Sequence, residues 1–333
     1  MEVTKINNFI CFDLEGPLTP QDNAYDLMKL FPNGDKVFEV ISRYDDLLTM
    51  EGRQDYEPGD TLALIVPFLV FHNIMEADII SLAKKATLTD GADELIAWLK
   101  QNGWQVFCIT TTYEQYARNL TQNLGIDGNN VASTPFELNS YIKLLCKDDT
   151  PLLQEMERII LAIQDNDKLI KEKLDDFFWN KLPRTEFGRA TKKVKPVGGR
   201  RKVAALKRFS QREGQPLNEW VVVGDSITDF HMLKEVDDAG GLAIAFNANQ
   251  YALPYATMSL ASTSISELEP VLSAWQQGDR NEAEKIVLAK DKGNCKEDRQ
   301  CFHWLVNNND ISEIISIHRR MRRIVREEAG KLG

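Results

Sequence analysis

Four short runs, Asn8–Phe12, Gln105–Ile109, Trp220–Val223 and Leu242–Phe246, are apolar without alternation. A strand wetted on one face alternates polar with apolar, so runs like these are strands buried on both faces of a parallel sheet. Helical patterns lie between them. Ala92, Leu95, Ile96 and Leu99 form one stripe that stops at Gly103, and Val203, Leu206 and Phe209 form another just before Val221–Val223. Strands alternating with helices predict an α/β chain with a doubly wound parallel sheet and right-handed crossovers. Ligands of such sheets bind beyond the carboxyl ends of the strands, where Asp13, Thr110 and Asp225 fall.

Two stretches break the alternation, and 333 residues exceed one ordinary core. The division this predicts is a core of residues 1–19, 86–135 and 195–264, with a helical cap over 20–85. A second, mostly helical insertion covers 136–194 and a helical extension covers 265–333. In that extension Ile314, Ile317, Met321, Ile324 and Val325 mark a packed face, and the run Arg319-Arg320-Met-Arg322-Arg323 reads as its solvated side.

A net charge of −10 argues against a nucleic-acid partner, since a polyanion is repelled on average. No apolar run approaches the ~20 residues of a membrane span, so a cytoplasmic protein without a membrane partner is expected. Five cysteines, two of them inside apolar runs, suggest reduced thiols rather than a disulfide framework. Cys295, Cys301 and His303 lack the CxxC spacing of a zinc site.

Asp13 ends the first run ahead of Gly16-Pro17, which turn the backbone and leave a carboxylate at the sheet edge, placed for attack on phosphorus. Glu15, at the same mouth, is positioned to move protons, or is a loop glutamate. Thr110 heads three threonines; a hydroxyl and a backbone N–H here, at Thr110 and Thr111, suit phosphoryl oxygens, or one of the threonines caps the next helix. Lys202 opens the Val203–Phe209 helix as a neutralising cation, or as one surface lysine of a basic loop. Asp225 brings a second carboxylate to the mouth. Two such acids repel unless a hard cation separates them, which suits Mg²⁺. Asp229, one turn on, orients Lys202 or a metal-bound water, or simply favours the helix N-terminus.

Asp13-Leu-Glu15-Gly-Pro-Leu-Thr19, Thr110, Lys202 and Gly224-Asp225-Ser-Ile-Thr-Asp229 resemble the four motifs of the haloacid dehalogenase superfamily. The segment Ala239–Phe246 is similar to its phosphoserine-phosphatase-like members. The resemblance implies that Asp13 is the nucleophile, and that Asp13, the Glu15 carbonyl and Asp225 hold Mg²⁺. It implies too that Thr110 and Lys202 bind the phosphoryl group. Most phosphatases of the superfamily carry Asp at position 15; the enolase-phosphatases carry Asp-x-Glu-Gly, as here. The expected activity is Mg²⁺-dependent hydrolysis of a small phosphorylated metabolite through an aspartyl-phosphate. A phosphotransferase or phosphomutase, or a silent subunit or regulator, is the alternative. Arg43, Arg53 and Tyr56 of the cap are candidates for contacting the substrate.

Overall fold

The computed structural model describes residues 8–291, 300–308 and 310–327. Its strands are β1 (Asn8–Phe12), β2 (Trp104–Tyr113), β3 (Val131–Thr134), β4 (Trp220–Gly224), β5 (Leu242–Phe246), β6 (Met258–Ala261) and β7 (Cys301–Trp304). They form one sheet in the order β3-β2-β1-β4-β5-β6-β7, parallel except for β7, which runs antiparallel to β6.

The unbroken apolar runs are explained by what lies on each side. From β1, Ile10 and Phe12 enter one hydrophobic layer while Phe9 and Cys11 enter the other. Val221 and Val223 of β4 join the first, Trp220 and Val222 the second. The helices on the first face are α5 (Ala92–Gln101), α6 (Glu114–Asn123) and α13 (Glu269–Lys290). On the opposite face lie α11 (Arg200–Glu213), α12 (Phe230–Ala239) and the start of α14 (Ser312–Arg326). This is the doubly wound α/β architecture that the alternation predicts.

Between β1 and α5 come α1 (Asn23–Met28), α2 (Gly34–Glu51), α3 (Thr61–Phe71) and α4 (Glu76–Lys85). Between β3 and α11 come α7 (Leu138–Ile142), α8 (Thr150–Ala162), α9 (Asp167–Asp175) and α10 (Glu186–Thr191). The two groups pack on one another through a shared apolar cluster that includes Tyr44, Phe68, Leu153, Ile170 and Phe177. The chain enters and leaves the first group through a clasp: the Thr19 hydroxyl donates to the Thr87 carbonyl at 2.8 Å, and Gln21 Nε2 donates to Thr87 Oγ1 at 2.8 Å.

The structure adds to and corrects the sequence reading. β3 and β6 were not foreseen. β7 lies in a tail expected to be wholly helical, and pairs as the sheet's antiparallel edge. Cys301 is disulfide-bonded, against the expectation of reduced thiols, whereas Cys11, Cys108 and Cys146 are free. Cys295 lies outside the described residues. On α14, Ile324 is exposed while Arg322 and Arg326 are buried, so the packed face is rotated from the one expected. Among the described residues no single helix is long and apolar enough to cross a membrane.

Candidate active site

β1 and β4 are neighbours at the centre of the sheet, with Phe12 in register with Val223. Their carboxyl ends therefore deliver Asp13 and, one residue beyond Gly224, Asp225 to the same mouth. The N–H of Asp13 donates to the Val223 carbonyl at 2.9 Å, which fixes the nucleophile candidate to the rim. Its side chain accepts the Leu14 N–H at 2.7 Å. The chain then folds back, Gly16 N–H donating to the Thr19 carbonyl at 2.7 Å. At Gly16 φ is +104°, and an added Cβ would lie 2.4 Å from the Asp225 carboxylate, so only glycine passes here.

Lys202 sits in the first turn of α11, fully buried, with Nζ 2.7 Å from Asp13 Oδ2 and 2.7 Å from Asp229 Oδ1. Burial would push its ammonium down, but the two carboxylates outweigh that and hold it above the ordinary lysine value. Burial and the Asp229 charge push Asp13 upward against the pull of Lys202. The other oxygen of Asp229 accepts the N–H groups of Asp225 and Ser226, both at 3.0 Å, so Asp229 braces the β4 turn as well as the lysine.

Oxygens of Asp13, Asp225 and Asp229 lie within 4.8 Å of one another. Asp225 Oδ2 is held by Arg322, and by Arg326 Nη1 at 2.9 Å, both from α14. Asp225 Oδ1 is buried and, among the described residues, has no hydrogen-bond partner. An unpartnered carboxylate oxygen beside two further carboxylates is an oxygen-only donor set, of the kind that hard divalent cations take.

The threonines run on in β2 instead of starting a helix; Tyr113 takes the N-cap position of α6, with no side-chain cap. Thr111 lines the pocket at the mouth and its hydroxyl donates to the Val197 carbonyl at 3.3 Å. Thr110 is fully buried behind it, its hydroxyl accepting the Thr112 N–H at 3.3 Å. Glu15 also lines the pocket. Its Oε1 accepts the N–H of Asn23 at 2.7 Å, joining this side chain to the first turn of α1. Burial raises its carboxyl well above the usual range.

The pocket is a cavity of about 100 Å³, roofed by Asp22, Ala24, Phe38, Ser42, Asp45 and Gly59 of the 20–85 segment. Neither cap arginine reaches it. Arg43 pairs with Asp167 of α9 at 2.6 Å. Arg53 lies over the Trp179 ring at 4.2 Å, and with Tyr56 it lines a separate cavity of about 600 Å³ between α3 and residues 178–195. The arginines at the pocket are Arg322 and Arg326. A signal for them exists in the sequence: with Ile314 and His318 they recur every four residues, and all four side chains are buried.

A family model described as a haloacid dehalogenase-like hydrolase matches residues 8–237. No curated protein matches the chain. Among solved structures, gene product AF1437 from Archaeoglobus fulgidus is similar over 98% of this chain and 99% of its own, with 29% identity and a TM-score of 0.84. A phospho-aspartyl intermediate analogue of phosphoserine phosphatase is similar over 79% of this chain and 97% of its own, with 20% identity and a TM-score of 0.51. That likeness concerns the fold.

Proposed function

This chain belongs to the haloacid dehalogenase-like hydrolases, and from that premise we propose that it is a Mg²⁺-dependent phosphatase of a small phosphorylated metabolite. The observation that carries the reading is the buried trio at the mouth. Lys202 bridges Asp13 and Asp229 at 2.7 Å each, near the Asp225 carboxylate, one oxygen of which has no partner among the described residues. Phosphoryl transfer asks for such placed charges more than for covalent machinery.

Asp13 and Asp225 would hold Mg²⁺, with the Glu15 carbonyl as the further ligand. The ion would neutralise charge on the phosphoryl oxygens. Asp13 attacks phosphorus while the bond to the substrate oxygen breaks, and Glu15 supplies the proton that the leaving alcohol takes. Glu15 then accepts a proton from water as that water attacks phosphorus and the bond to Asp13 breaks, which restores both carboxyl groups. Lys202 stays protonated and keeps the anionic phosphoryl group and Asp13 compatible at short range. Thr111, on the pocket wall, would offer its hydroxyl to the phosphoryl oxygens, with Thr110 next to it in β2. A cavity of about 100 Å³ accommodates a phosphoryl group and little more, which favours a small substrate.

The test is a screen of phosphorylated metabolites with and without Mg²⁺, run on the wild type and Asp13→Asn together. Hydrolysis that needs Mg²⁺ and vanishes in the variant supports the reading. Equal rates for the two proteins on every active substrate would remove Asp13 from its role.

A further inference from the structure

The residues of the C-terminal helix that touch the site are not surface charges. Arg322 and Arg326 are 4% and 7% exposed, and both donate through Nη1 to the same oxygen, Asp225 Oδ2. Arg326 does more: its Nε donates to the Pro20 carbonyl at 3.1 Å and its Nη2 to the Gln21 carbonyl at 3.5 Å. Pro20 and Gln21 are the chain entering the cap. One guanidinium thus joins the helix, the cap entrance and the carboxylate.

A guanidinium does not give up its proton in a protein, so burying two of them requires anions that stay charged. At the mouth Lys202, Arg322 and Arg326 pair with Asp13, Asp225 and Asp229, and the further acids Glu15 and Asp22 line the same pocket. The division of labour on Asp225 is also sharp. Two cations take Oδ2, and Oδ1 is left bare.

We propose that Arg322 and Arg326 are positioning residues that serve as a built-in counter-charge for Asp225, engaging Oδ2 so that only Oδ1 is presented to the metal. The inference rests on reading Asp225 as a metal carboxylate. Its consequence is a site that is preformed without the ion and binds it less tightly than bare carboxylates would, because two fixed positive charges stand nearby.

Thermal unfolding of the full chain in EDTA and in excess MgCl₂, with calorimetric titration of Mg²⁺ alone, tests this without any substrate. Arg322→Gln and Arg326→Gln should each melt below wild type in EDTA yet gain more from Mg²⁺, with affinity for the ion tighter by roughly tenfold. Arg326→Lys, which keeps the charge, should respond to Mg²⁺ much as wild type does. Unchanged melting in EDTA would overturn the proposal. So would weaker Mg²⁺ binding in the Gln variants, since that is the mark of a residue that only orients its partner.

If a Gln variant does not fold in EDTA, the double variant with Asp225→Asn decides. Removing the charge that needs compensation should restore folding, and a double variant as unstable as the single one assigns the arginine to packing alone. A wild type indifferent to Mg²⁺ would sink the metal reading itself. The cycle with Asp225→Asn tells that failure apart, because it needs no metal.

Discussion

Lys202 carries two jobs in one side chain: it bridges Asp13 and Asp229 in a buried place, and its charge pulls against the burial that pushes Asp13 upward. Lys202→Met should therefore cost stability as well as turnover, about 3–5 kcal/mol for stranding buried carboxylates. Denaturant unfolding alongside an activity assay would show whether the two losses go together. Gly16 offers a second contrast. Gly16→Ala drives a methyl into the Asp225 carboxylate and should abolish the Mg²⁺ response and activity. Gly52→Ala, at φ +68° with nothing within 4 Å, should cost only the left-handed backbone, about 1 kcal/mol. Asp13, Lys202, Asp225 and Asp229 were all legible in the sequence, because each stands where an apolar run ends or a helix begins. Arg322 and Arg326 were passed over, although their four-residue spacing from Ile314 and His318 is there to be read. A run of arginines is judged by composition, and a window that admits only apolar residues to the packed face excludes the polar ones that also lie there.

At the scale of elements, α14 holds its place partly through a neutral histidine. His318 is fully buried and its Nδ1 accepts the N–H of Ala248 at 2.9 Å. Burial, with His303 facing it at 6.5 Å between ring centres, lowers its pKa to about 3. A histidine depressed in the folded state lends stability that is whole above its unfolded pKa of about 6.5 and is lost as pH falls from there toward 3. Acidification from pH 7 to pH 5 should thus loosen α14 before the sheet, seen as faster amide exchange along Ser312–Arg326. His318→Asn should be less stable at neutral pH but show a flatter decline; an equally steep decline would exonerate the histidine. The same scale shows what pattern reading passes over. β3, β6 and β7 have only four residues each, too few for a period to declare itself, and β7 is visible only through its pairing with β6.

Taken whole, the two helical groups outside the sheet share one roof. Arg43 meets Asp167, the Tyr44 hydroxyl donates to Asp175 at 2.5 Å, and Trp179 Nε1 donates to that same hydroxyl at 2.7 Å. Lone charges such as Arg43 read as substrate contacts until the partner element is seen to cover them. Arg43→Ala should leave KM unchanged and alter stability by less than about 1 kcal/mol, as for an exposed pair. A raised KM would return Arg43 to the substrate. The contact from Arg326 to Pro20 spans 306 residues of chain. A ribosome adding roughly 5–20 residues per second needs tens of seconds to supply the second partner after the first. Asp225 is made 101 residues ahead of Arg326, so for the last part of that interval the nascent chain holds Asp225 without this cation. A message that loses its reading frame just before Arg326 would yield a protein with every strand of the sheet in place and the site unfinished.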